Sequence, residues 1–122
     1  MTIDEGTAPP MSAQHTYRVI VRGAWRDLTS TDRERLLAEV EAHGLAGLRF
    51  TSEGSLAYDR TLNHFSYRYE IVADADEGEE MAALLAEDRA AHALAELGYG
   101  HGELRSTATD MDTMKINRRS RR

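Results

Sequence analysis

What most constrains the fold is a change of period in the apolar residues along the chain. The period is two in "YRVIVRG" (residues 17–23) and roughly 3.6 in "STDRERLLAEVEAHG" (30–44). It returns to two in "LAYD" and "FSYRYEIVA", to 3.6 in the segment from Glu77 to Gly98, and to two in "LRSTATDM". A strand turns successive side chains to opposite faces, whereas a helix brings residues three and four apart onto one side. The order is therefore strand, helix, strand, strand, helix, strand. Right-handed crossovers place both helices on one face of a four-stranded antiparallel sheet. This predicts an α+β chain, a ferredoxin-like βαββαβ sandwich with spatial order 4-1-3-2 and strand one in the middle.

The elements have readable ends. Strand one is expected over about Tyr17–Arg22. Helix one starts at an N-cap, Thr29, with Asp32 three residues on, and stops at Gly44. Its apolar stripe is Leu36, Leu37 and Val40. Leu48 and Phe50 alternate before the turn-like "SEG", and Leu56 and Tyr58 resume after it, giving two short strands or one strand bent near Gly54. Phe65, Tyr67, Tyr69 and Ile71 share one face of strand three. Helix two, from about Glu77 to Leu97, is expected to bury Met81, Leu84, Leu85, Ala91 and Leu94 and to stop at Gly98. The last strand is read over about Glu103–Met111. Residues 1–16, with adjacent prolines and no apolar period, read as a disordered leader containing a second candidate start at Met11. Residues 17–116 form the single domain, and 117–122 a basic tail.

Composition removes several chemistries. The 122 residues include no cysteine, which excludes disulfides, thiolate nucleophiles and cysteine-ligated metal centres. Lys115 is the single lysine, so Schiff-base chemistry would depend on it. Residues 1–114 carry ten basic side chains against 21 acidic ones, and "KINRRSRR" then adds five positive charges. A body this acidic repels a phosphate backbone and argues against nucleic acid as the main partner. No apolar run approaches the roughly 20 residues that span a bilayer, and the acidic start differs from a secretory signal. No membrane association and a cytoplasmic location are the expectation.

The alternation also locates a candidate site. A sheet covered on one side needs one apolar face and leaves the other wet. Val19, Val21, Leu56, Tyr58, Phe65, Tyr67, Tyr69, Leu104 and Ala108 suit the covered face. The open face then carries Arg18, Ile20 and Arg22, Asp59, Ser66, Arg68 and Glu70, and Arg105, Thr107 and Thr109. Arginines hold anions because guanidinium is planar, bidentate and always charged. Arg18, Arg22, Arg68 and Arg105 are therefore the candidate ligand-binding residues. The competing reading is a solvated face on which Arg68, Glu70, Arg18 and Asp59 pair across strands, at about 0–1 kcal/mol per exposed pair. Sheet-to-sheet homodimers would instead enclose this face as a cavity.

Other motifs point elsewhere. His64, in the turn beside Tyr58 and Asp59, is the candidate acid–base group, with Tyr58 as second. The five histidines show no metal-ligand spacing, and no metal or cofactor is expected. Asp110 and Asp112 lie on one side of a strand, where a hard cation would bridge them, but two carboxylates are too few for a site and a charged strand end explains them better. "GYGHG" follows a helix and reads as a C-cap and loop, unlike a nucleotide motif after a strand. "DADEGEE" places carboxylates where a helix dipole favours them.

Three segments together, "YRVIVRG", "EGSLAYDRTLNHFSYR" and "TDMDTMKI", resemble a family of small uncharacterised proteins, a domain of unknown function from high-GC Gram-positive bacteria. The similarity covers residues 17 to about 117. It implies a compact cytoplasmic domain and transfers no activity, cofactor or catalytic residue. The residues themselves predict a homodimeric binder of a small anionic or aromatic molecule, acting as a cofactor-free isomerase or cyclase. The alternative is a non-enzymatic protein-interaction or regulatory module using a sheet edge or the basic tail.

Overall fold

A computed structural model describes residues 13–43 and 48–113. Among these residues, four strands and two long helices follow in the expected alternation: β1 (Gln14–Ala24), α1 (Ser30–Glu39), β2 (Ser55–Tyr58), β3 (His64–Asp74), α2 (Gly78–Leu97) and β4 (Arg105–Asp110). The strands make one antiparallel sheet in the order β2-β3-β1-β4, which read from the β4 edge runs 4-1-3-2. β1 is central. Strand β1 begins at Gln14, so residues 14–16 belong to the sheet and not to a leader; Gln14 to Thr16 find register partners in Asp74 to Val72. The expected leader up to residue 12, the helix stop at Gly44, Lys115 and the tail 117–122 lie outside the described residues.

The core forms on the face that the alternation selects. Tyr17, Val19 and Val21 of β1 and Tyr69 of β3 are fully buried, and Leu56, Phe65, Tyr67 and Ile71 join them. Leu36 of α1 and Ala82, Ala86, Ala90 and Leu94 of α2 close the same cluster. Each large side chain taken out of water here contributes roughly 1.5–3 kcal/mol before entropy is set against it.

Helix α1 begins as its sequence dictates. The Thr29 hydroxyl accepts from the Asp32 amide, and the Asp32 carboxylate accepts from the Thr29 amide, a reciprocal capping box. Leu36 and Val40 face inward, but Leu37 is 40% exposed, so the stripe is narrower than expected.

Helix α2 departs further from expectation. It is seated by the i, i+4 row Ala82, Ala86, Ala90 and Leu94, each fully buried, while Leu84 is 61% exposed and Leu85 37%. The reason lies across the interface. The sheet presents Tyr17, Tyr67 and Tyr69, whose rings fill the space that leucines would otherwise occupy. Small residues on the helix let it approach those rings. Gly98, at φ 82°, ends α2 in the left-handed conformation and returns its amide to the carbonyls of Leu94 and Ala95.

Between the helices and strands the chain does less than its alternation suggests. Leu48 is 57% exposed, and the segment before β2 contributes one isolated parallel bridge, Thr51 to Tyr69, with Gly54 at φ 94°. The last strand is shorter than read, from Arg105 to Asp110. Among the described residues, no helix is long and apolar enough to cross a membrane.

Candidate functional site

The register of the sheet fixes what lies together on the open face. Ser66 pairs with Ala57 on one side and Arg22 on the other, and Arg22 pairs in turn with Arg105. One row across the sheet therefore reads Ala57, Ser66, Arg22, Arg105. The adjoining row reads Ser55, Arg68, Ile20, Thr107. Directly opposed like charges destabilise a sheet. Yet Arg22 and Arg105 face each other, and neither forms a salt bridge with any described residue.

A concavity of about 740 Å³, open to solvent, covers the first row and reaches Arg68 of the second. Arg22, Arg68 and Arg105 line it, as do Ser66, Ala57 and Phe65. Glu103 is the one carboxylate among the described residues that line it. Arg68 is held within the site by a hydrogen bond from its guanidinium to the Ser66 hydroxyl at 3.1 Å. The volume lies within the range of small-molecule pockets, about 300–1,000 Å³.

A fourth arginine, Arg26, completes the rim, and the strand pattern gives no sign of it. It lies beyond β1, where the loop after α2 closes on the chain. The Arg26 amide donates to the Gly100 carbonyl at 2.9 Å and the Gly102 amide to the Ala24 carbonyl at 2.9 Å. Trp25 bridges His101 between them. A side chain at position 102 would put its Cβ 2.7 Å from the Arg26 Nε, so Gly102 is what lets the guanidinium lie there. Of the glycines of "GYGHG", Gly98 caps α2, while Gly100 and Gly102 leave room for Arg26.

Two expected members stand apart. Arg18 is absent from the lining of the concavity: its guanidinium lies 5.1 Å above the Phe50 ring and 3.8 Å from the Glu70 carboxylate. The reason is its row, which pairs it with Glu70 and Thr109. Asp59 is not on the open face either. It follows β2 in a turn, where its carboxylate accepts from the Thr61 amide at 3.1 Å and from the Thr61 hydroxyl. Those hydrogen bonds, the side-chain one foremost, hold it below the usual carboxylate range.

The two candidate proton carriers differ in freedom. His64 is exposed at the start of β3 and lines the concavity. Tyr58 lines it too, but its hydroxyl donates to the Leu36 carbonyl of α1 at 2.7 Å. Burial, with smaller contributions from Glu39 and Tyr99, pushes the phenol up to about 12. A phenol tied to a helix backbone and held neutral is a poor base at ordinary pH.

Comparison with known proteins adds a family and nothing finer. No curated protein and no solved structure is detectably similar to this chain. Residues 11–122 match DUF6204, a family of unknown function, and the match spans all of the described strands and helices and the arginine row. The chain belongs to that family.

Proposed function

We propose that the protein binds a small anionic molecule in the concavity of the open sheet face, with Arg22 and Arg105 as the principal anchors and Arg26 and Arg68 at the rim. One observation carries this reading: two register-opposed arginines without an acidic partner among the described residues, in a chain whose formal net charge is −6. An anion between them turns a repulsive pair into a bidentate clamp. The ferredoxin-like assignment is supported by the 4-1-3-2 neighbour order and by the shared core of the two helices. A homodimer formed through this face would bring two arginine rows together and would need the anion between them. His64 is the residue placed to move a proton if the bound molecule is also transformed, in a cofactor-free cytoplasmic enzyme.

Thermal denaturation with inorganic pyrophosphate and with phthalate, a planar aromatic dicarboxylate, tests the site. At a hundredfold excess over Kd, a ligand of the native state stabilises by about 2.7 kcal/mol. Arg22→Ala and Arg105→Ala should each weaken binding at least tenfold, as loss of a charge-assisted hydrogen bond does. Arg18→Ala should leave it unchanged. Equal shifts in the wild type and in Arg22→Ala would refute the clamp. An interaction module is the second reading, favoured by the outward-facing Leu84 and Leu97 on α2. Absence of any anion effect would leave that reading standing.

A further inference from the structure

At the opposite end of β1 from Arg22, and on the helix-covered face, the sheet brings together a second group of polar side chains. His15 precedes the fully buried Tyr17 by two residues and so shares its face. Tyr17 pairs in register with Asp110. Asp112 follows Asp110 by two and lies close enough to β1 for its Oδ2 to accept from the Thr16 amide at 2.9 Å. His15 Nδ1 lies 2.7 Å from Asp110 Oδ2. One donor atom from each of His15, Asp110 and Asp112 falls within 4.8 Å of the others. Glu79, in the first turn of α2, reaches the same place, its Oε2 accepting from the Asp110 amide at 3.3 Å.

Hydrogen bonding within the group leaves it incomplete. Asp110 Oδ1 is saturated by the amides of Asp112 and Thr113. The Tyr17 hydroxyl is buried with no hydrogen-bond partner. The Tyr17 ring lies 6.3 Å from the His15 ring, on the covered face of the strand position that pairs with Asp110. A buried hydroxyl without a partner costs about 1–3 kcal/mol, a cost that a ligand or its water at this group would remove. Three carboxylates against one imidazole also leave an excess of negative charge that no arginine or lysine among the described residues neutralises by a salt bridge.

We propose that His15, Asp110 and Asp112 bind a divalent transition-metal ion of the zinc class, with Glu79 beside them and the Tyr17 hydroxyl directed at the ion's remaining coordination position or the water that fills it. The donor chemistry selects the class. Imidazole nitrogen with carboxylate oxygen suits zinc, cobalt or manganese, whereas magnesium and calcium prefer oxygen alone. Donor atoms on a tetrahedral zinc ion at about 2.0–2.2 Å stand roughly 3.3–3.6 Å apart, so binding parts the hydrogen-bonded His15 Nδ1 and Asp110 Oδ2 and draws in whichever donors stand wider. The ion fastens the beginning of the first strand to the end of the last, a connection between residues 95 apart in the chain. This site is separate from the arginine concavity, and either can fail without the other.

The test uses the full chain stripped of metal by chelator. Titration calorimetry and thermal denaturation with zinc chloride should show one saturable site per chain and a melting temperature several degrees higher; magnesium chloride should do neither. Cobalt(II) should give a visible absorption band that zinc displaces. Asp112→Asn keeps an oxygen for the Thr16 amide, so the variant should fold normally and bind zinc at least tenfold more weakly. His15→Gln should behave alike, and His92→Gln, altered on the exposed side of α2, should match the wild type. Zinc binding that does not saturate at millimolar concentration, or equal affinity in the wild type and Asp112→Asn, would overturn the proposal.

Discussion

The two faces of the sheet are made by alternate residues of the same strands, and they obey different physics. On the covered face, Tyr17, Val19 and Val21 are selected for shape: bulky rings on the sheet meet alanines on α2, and volume decides what fits. On the open face, no described helix covers Ile20 and Arg22. There charge decides, and the row Ser66, Arg22, Arg105 stays unbalanced where a merely solvated surface would have interleaved acids. A face built for stability tolerates little change of volume, whereas one held for binding tolerates change until its ligand is tested. That contrast can be broken in three ways.

The largest effect belongs to the covered face. Ala86→Leu adds three heavy atoms where the helix touches the sheet and should destabilise by about 1–3 kcal/mol in urea denaturation. Leu84→Ala, on the outer side of the same helix, should change stability by less than about 0.5 kcal/mol. Similar midpoints for both variants would mean that α2 is not seated by its alanines.

A smaller effect separates the tyrosines. Tyr58→Phe removes the bond to the Leu36 carbonyl and should cost about 0.5–1.5 kcal/mol. Tyr69→Phe removes a hydroxyl that is buried without a partner and should cost nothing or stabilise. The pH dependence has a definite sign. Burial raises the pKa of all five tyrosines above 10, and Tyr58 and Tyr69 to about 12. The folded state thus favours the neutral phenols. That contribution is complete below pH 10 and is lost as pH rises through 10 toward about 12. Tyrosinate absorbance should therefore lag behind that of the urea-unfolded chain, and unfolding should accompany its rise.

The smallest effect belongs to the open face. Arg105→Glu replaces a repulsive cross-strand pair by an attractive one and should stabilise the ligand-free protein by about 0.2–1 kcal/mol at low salt. High salt should erase that gain. The same variant should lose pyrophosphate binding. Destabilisation would show that Arg105 already has a structural partner.

Much of this was legible before the coordinates. Alternation of two against 3.6 identified the element order, and odd positions of β1 point under the helices as the pattern requires. Arg22, Arg68 and Arg105 meet because strand neighbours in this topology are calculable. Arg18 was misplaced because its partners, Phe50 and Glu70, are set by register and by an irregular segment that no period describes. Arg26 went unnoticed for a similar reason: a loop brings it in, and the only trace is the glycine spacing of "GYGHG". The orientation of α2 was misjudged because hydrophobicity ranks leucine above alanine, while the room available depends on the tyrosines opposite. His15 was dismissed by local spacing, although its neighbours Asp110 and Asp112 come from the far end of the chain.

The central position of the first strand has a consequence for synthesis. Both of its long edges are covered by segments made later, β3 on one side and β4 on the other. On a chain that emerges in order, one margin of β1 therefore stays unsatisfied until β3 is made and the other until β4 is made. Helix α1 covers part of one surface in the interval, but neither margin. Assembly waits for the final strand, and a truncation that removes residues 105–110 should yield an aggregate instead of a smaller domain.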